Sequence, residues 1–215
     1  ERTIPSAFAS TYYSKPFKAK YERHLSPAKV TVVPDDCLKA AKDWVDQGLD
    51  VCVLNLANRQ HPGGGVERGA IAQEEYLFRV SDYYTGLFRF YKNAEKYGLY
   101  PAKDSYPLDR NYGGIYTPQV SIFRADEQHG YALLRKPWKA DYIAVAAMRN
   151  PETIVVDGQK RIADSLVEGT RNKIRTIYRI AADKGKRNLI LGALGCGAFH
   201  NPPRHMAELF RAVLC

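Results

Sequence analysis

No apolar run in the 215 residues resembles a membrane span. Runs such as "VCVLNLA" and "YIAVAAM" fall well short of the ~20 residues that a helical span needs. The opening "ERTIPSAF" is polar and has no signal-peptide apolar core. Cysteine is scarce: Cys37, Cys52, Cys196 and Cys215, with no pair at Cys-x-x-Cys or zinc-ligand spacing. That excludes a zinc ribbon and favours a reducing, cytoplasmic setting with free thiols. Basic residues exceed acidic ones, for a net charge of +9, yet no long Lys/Arg block occurs. The excess favours an anionic partner without choosing among nucleic acid, phosphorylated metabolites and acidic polymers. Repeats, low-complexity linkers and a second domain are also missing. The length suits one sizeable core, and an apolar share of 45% is that of a globular chain.

What is present reads as strands alternating with helices. "AKVTVV" has the composition of a strand ending at Pro34. "DDCLKAAKDWVDQG" reads as a helix capped by Asp35 or Asp36 and stopped at Gly48, with Leu38, Ala41 and Val45 on one face. "DVCVLNLAN" is a continuous apolar strand, buried on both faces. Residues 70–98 read as mostly helical, and 98–118, rich in Pro, Gly and Tyr, as a functional loop. "QVSIFR" and "YIAVAAM" are further strands. In "QKRIADSLVEGTRNKIRTIYRIAADKG", the residues Ile162, Leu166, Thr170, Ile174, Ile177 and Ala181 share one helical face. "NLILGALGCGAF" is a strand running into glycines, and "HMAELFRAVLC" starts a last helix. The alternation predicts a layered α/β/α domain.

Two glycine loops follow buried strands: "NLANRQHPGGG" and "GALGCGAFHNPP". Ligands in layered α/β folds bind outside the carboxyl ends of strands. Glycines let backbone N–H groups turn toward an anion. The loops read either as ordinary strand-to-helix turns or as a pair that grips a diphosphate. Seven residues after the first triplet stand Gln73, Glu74 and Glu75. Adjacent residues on a helix point ~100° apart, so the two carboxylates are not a proton-sharing pair. They read either as first-turn acids on a solvated face, favoured by the helix dipole, or as two acids with separate tasks at a ligand.

At these residues the chain resembles the macrodomains. "LNLAN" is similar to their strand end, with Asn55, Ala57 and Asn58 matching, and "GGGVERGAI" is similar to their first loop. The triplet followed by "QEE", with "SIFR" and "LGALGCGAFHNPP", resembles the microbial branch of poly(ADP-ribose) glycohydrolases over residues 30–215. The resemblance implies a three-layer macrodomain with a mixed central sheet, preceded by an extension over residues 1–29. It implies hydrolysis of ribose O-glycosidic bonds in poly(ADP-ribose) or ADP-ribosylated targets. Glu75 would be the catalytic acid/base, Glu74 would orient ribose hydroxyls, and Gln73 would support them. Asn58 would contact the distal ribose. Gly63, Gly64, Gly65 and Val66 would wrap that ribose and the diphosphate. Gly195, Cys196, Gly197, Ala198 and Phe199 would form the second phosphate loop, and Asp36 would read adenine. No cofactor and no metal are implied. The partner is ADP-ribose or poly(ADP-ribose) on modified macromolecules, with nucleic acid only as such a target, no membrane, and a monomeric protein. Members of that branch continue past "AELFRAVL" into another strand and helix; either the protein continues beyond Cys215 or its sheet lacks an edge strand. The alternative is a macrodomain that reads ADP-ribose without cleaving it.

Overall fold

The structure, a computed structural model, describes residues 9–19 and 28–214. Its centre is a five-stranded mixed sheet: β1 (Thr11–Tyr13), β2 (Val51–Leu56), β3 (Gly114–Arg124), β4 (Leu133–Val145) and β7 (Asn188–Ile190), in the order β1-β3-β4-β2-β7. A separate hairpin joins β5 (Thr153–Val156) to β6 (Gln159–Ile162). β2 pairs in parallel with β4 on one side and β7 on the other, while β1, β3 and β4 pair antiparallel. The carboxyl ends of β2, β4 and β7 therefore share one edge of the sheet.

The apolar run of β2 is explained by its central place. Val51 and Val53 join a core with α1 (Cys37–Asp46), α2 (Gln73–Val80) and α3 (Tyr83–Leu87). Cys52 and Leu54 join a second core with α4 (Asp164–Asp183) and α5 (Pro203–Leu214). A strand covered on both faces has no polar side to alternate with. The three-layer arrangement and the mixed sheet are as expected.

Several local expectations are corrected. Residues 28–33 form no strand, and Val30 and Val32 are 67% and 92% exposed. Both edges of β2 are already taken, and β-branched composition without a pairing partner makes no strand. The helical stretch at 70–98 breaks after Val80. There Ser81 turns extended, bridges Ile122, and its hydroxyl donates to the Leu77 carbonyl at 2.6 Å. Beyond it the chain continues as α3 and two short 3₁₀ turns. The irregular loop ends at Gly113, because 114–118 already belong to β3. Residues 159–162 are strand, and the helix starts at Asp164. β4 begins nine residues before "YIAVAAM" and ends before Ala146. Three residues from the expected N-terminal extension, Thr11–Tyr13, are paired to β3 as β1.

Helix ends follow their signals. The Asp36 carboxylate accepts from the Leu38 and Lys39 amides at 2.8 and 3.3 Å, capping α1. Gly48 and Gly185, at φ +78° and +66°, follow the ends of α1 and α4.

Candidate active site

The carboxyl end of β2 and the start of α2 are joined by Gln73. Its amide oxygen accepts from the Leu56 amide at 2.9 Å, and its amide nitrogen donates to the Leu54 carbonyl at 2.8 Å. The side chain thus bonds the strand edge like a short peptide and fixes where the helix begins. The next two residues, Glu74 and Glu75, are 3% and 7% exposed. They are not first-turn acids on a solvated face.

Their partners differ. Glu74 Oε1 accepts from Asn55 Nδ2 at 3.2 Å and the Gly63 amide at 3.1 Å. Its Oε2 accepts from the Asn58 amide at 2.7 Å. Burial pushes the Glu74 carboxyl up to about 8, against the pull of these hydrogen bonds. Glu75 Oε1 accepts from the Gly65 amide at 2.8 Å. Its Oε2 is buried and has no hydrogen-bond partner among the described residues. A carboxylate oxygen accepts two hydrogens. Glu74 Oε1 is therefore full, Glu74 Oε2 has room for one more donor, and Glu75 Oε2 is open.

The glycine triplet is what lets the chain come this close. Gly64 has φ +58°, and a Cβ there would lie 2.3 Å from Glu75 Oε1. A Cβ on Gly63, at φ +73°, would lie 2.8 Å from the Phe78 ring. All four amides of this loop are used inside the chain. Besides the two on the glutamates, Gly64 donates to the His61 carbonyl and Val66 to the Gly63 carbonyl, each at 3.1 Å. Asn58 Oδ1 accepts from the Gln60 and His61 amides at 2.8 and 3.1 Å, closing the turn, and its Nδ2 is without an acceptor among the described residues.

The second loop, after β7, lies beside the first. Gly192 is within van der Waals reach of the Leu56 side chain. Its amides behave differently. Those of Gly195, Gly197, Ala198 and Phe199 have no acceptor among the described residues, while Cys196 donates to the Ala193 carbonyl at 3.0 Å. Asn201, 1% exposed, holds the loop in shape. Its Nδ2 donates to the carbonyls of Met148, Gly195 and Phe199 at 2.7, 3.0 and 3.2 Å. Phe199 packs half-buried against the α4–α5 core, and Ala198 and Gly197 are exposed.

The structure gathers Gln73, Glu74, Glu75, Asn58 and the residues 63–66 around the end of β2, with 195–199 alongside. Asp36 stands near this group: its Oδ1 caps α1 and accepts from the Tyr76 hydroxyl at 3.3 Å. Sequence reasoning gave no role to two clamps, Asn55, named only as a motif match, and Asn201. The first was visible as a polar residue inside an apolar strand, the second as an Asn just before two prolines. Among the described residues no group of three metal-ligating side chains comes together.

Comparison with known proteins identifies the family and the fold. The family model described as microbial-type PARG, catalytic domain, matches residues 2–125. No curated protein matches the chain. A crystal structure of poly(ADP-ribose) glycohydrolase from Thermomonospora curvata is 28% identical with a TM-score of 0.72, over 95% of this chain and 73% of that one. The same enzyme bound to the inhibitor ADP-HPD gives 28% and 0.70, over 95% and 72%. The Deinococcus radiodurans enzyme in complex with ADP-ribose gives 29% and 0.60, over 83% and 68%.

Proposed function

The chain belongs to the microbial-type poly(ADP-ribose) glycohydrolase family, glycosidases acting on ribose O-glycosidic bonds, and on that premise we propose how its own residues do the work. The substrate's terminal ADP-ribose lies across the carboxyl edge of the sheet. Its diphosphate meets the second loop, where free amides face no internal acceptor. Its distal ribose lies against Asn58 and the glycine triplet. The solved relatives bound to ADP-ribose and to ADP-HPD support a ligand of this kind.

Glu75 is the acid/base. The observation that carries this assignment is its open, buried Oε2. The Gly65 amide holds the other oxygen, so the carboxyl is aimed without being saturated. It protonates the oxygen leaving the anomeric carbon as the ribose takes on oxocarbenium character. It then withdraws a proton from the attacking water. One carboxyl does both, unlike the flanking pair of most glycosidases. Glu74, held by three donors, meets a ribose hydroxyl through the remaining position on Oε2, donating to it while protonated. Gln73 positions both acids by fixing the start of α2 on β2. Asp36, near Tyr76, contributes at the adenine end.

We place the enzyme as a monomer in the cytoplasm. In support of a reducing compartment, Cys37, Cys52 and Cys196 are free thiols.

Incubation with labelled poly(ADP-ribose) and with protein carrying a single O-linked ADP-ribose tests the activity. Release of ADP-ribose is expected. A folded sample that releases none from either substrate overturns the reading and leaves an ADP-ribose reader. Glu75→Gln should keep ADP-ribose binding within a few-fold and lower kcat by roughly 10²–10⁴, the usual range for a general acid/base.

A further inference from the structure

α5 begins just after the second glycine loop, and its first turn buries a histidine that the mechanism above does not use. His205 is 3% exposed. Its Nδ1 accepts from the Ile162 amide at 2.9 Å, where β6 ends. Ile162 is itself fully buried, so that amide is shielded from solvent. A ring nitrogen that accepts a hydrogen bond carries no proton. The imidazole is therefore neutral, with its hydrogen on Nε2.

This bond belongs to a seam that joins the second loop and α5 to the segment between β4 and α4. Asn201 Nδ2 donates to the Met148 carbonyl at 2.7 Å, and the Asn150 amide donates to the Phe199 carbonyl at 2.9 Å. His205 and Ile162 close the far end of the seam. Between the Asn201 clamp and the histidine stand Pro202 and Pro203, and the Pro202 carbonyl accepts from the Met206 amide at 2.9 Å. Proline fixes φ, so this link is stiff. A shift of the first turn of α5 carries Asn201 with it. Asn201 in turn holds the carbonyls of Gly195 and Phe199 within the loop.

Charge on His205 breaks the seam. A protonated imidazole donates from both nitrogens, so Nδ1–H and the Ile162 N–H would meet head on. His200 behaves differently. Its Nδ1 lies 2.9 Å from Asn150 Oδ1, a hydrogen bond that a charged ring still makes. Around His205 stand Arg161 of β6, Glu208 of α5, and Arg171 and Asp164 of α4. Burial first, then Arg161 and Arg171, hold the ring below its ordinary value of 6.5, against the opposing pull of Glu208 and Asp164. The bond is therefore intact above about 6.5 and is lost as pH falls through that lowered value.

We propose that His205 is a positioning residue for the second loop: as a neutral acceptor it fixes the start of α5 and, through Asn201, the open amides that take the diphosphate. This rests on the function proposed above. Acid then loosens the second loop and leaves the carboxylates of the first loop in place. Loss of the seam accordingly raises KM more than it lowers kcat.

The test is calorimetry of ADP-ribose from about pH 8 to about pH 5 on the parent protein, His205→Asn and His205→Leu. Asn puts an oxygen close to the place of Nδ1 and does not titrate; Leu offers no acceptor. Affinity of the parent should fall by up to about tenfold for each pH unit below the titration. His205→Asn should match the parent within about twofold near pH 8 and lose the acid dependence. His205→Leu should bind roughly tenfold more weakly throughout, the cost of one unpaired buried donor. A parent whose affinity is flat over this range, or an Asn variant that weakens in acid as the parent does, overturns the proposal. The Ile162 amide resonance is followed in the same proteins without ligand. It should move with the titration in the parent and stay still in His205→Asn; an amide that ignores pH in the parent also overturns the proposal. Failure of ADP-ribose to bind near pH 8, with the Ile162 amide still following the titration, would sink the function proposed above and keep the seam.

Discussion

In the first glycine loop the amides of Gly63, Gly64, Gly65 and Val66 all donate inside the chain, two of them to the buried glutamates. In the second loop the amides of Gly195, Gly197, Ala198 and Phe199 donate to nothing described. The two loops sit side by side at the same edge of the sheet and look alike as glycine-rich turns. One is closed around acids that the chain brings itself; the other is open to an acid that a ligand must bring. A glycine motif is thus only half of an anion site. The other half is whether a carboxylate of the same chain already occupies it. Placing Glu74 and Glu75 at the second and third positions of α2 and burying them makes the first loop a holder of the two carboxylates proposed as catalytic. Among the described residues no carboxylate accepts from the second, which in the proposed placement leaves its donors for the diphosphate.

Substitutions that add one methyl to each loop sharpen this contrast. The largest effect is expected at Gly64→Ala, where the Cβ would meet Glu75 Oε1 at 2.3 Å and the backbone sits at φ +58°. Displacing the acid by about 1 Å should lower kcat roughly 100-fold. ADP-ribose affinity, measured by calorimetry, should change far less. Gly195→Ala should do the reverse. Its Cβ would lie 2.4 Å from Ala147 Cβ at φ +76°, so the loop must shift. A stability loss of about 2–4 kcal/mol in urea unfolding is expected, with weaker ADP-ribose binding and a smaller change in kcat. If Gly64→Ala weakened ADP-ribose binding as much as it lowered kcat, the division of labour between the loops would fall.

The third and smallest effect concerns pH. The Glu74 carboxyl is raised from 4.5 to about 8 by burial. Between those values the folded protein holds a proton that the unfolded chain gives up. Its contribution to stability is therefore fully present below about 4.5 and is lost as pH rises through about 8. Thermal unfolding should show a falling midpoint across this window, worth a few kcal/mol at most. Glu74→Gln should flatten that fall. A midpoint that rises with pH in the parent protein, or falls equally in the variant, would show that Glu74 is not the group responsible.

Much of the site was legible because its signals are local. The glycines, the Gln73-Glu74-Glu75 run and the second loop stand in order along the chain, each beside a strand or helix whose pattern is plain. The layered fold was legible for the same reason: β2 is apolar throughout and α4 carries one apolar face. What failed to read were features decided by distant neighbours. "AKVTVV" has strand composition, but both edges of the β2 that follows it are already paired, and it joins no other strand. The break at Ser81 needs Ile122 across the sheet. Asn55 and Asn201 look like ordinary polar residues until Glu74 and the carbonyls of Met148, Gly195 and Phe199 surround them.

By itself, then, the sequence determined the fold class, the two loops and the divergence of two adjacent carboxylates. Helical periodicity forces adjacent side chains apart whatever surrounds them. Only the tertiary structure decided what each carboxylate bonds and which oxygen it leaves open. Burial, three donors on Glu74 and one on Glu75 come from residues between 10 and 19 positions away. Hydrogen-bond occupancy is a property of what packs together in space, and no spacing along the chain records which oxygen is left open.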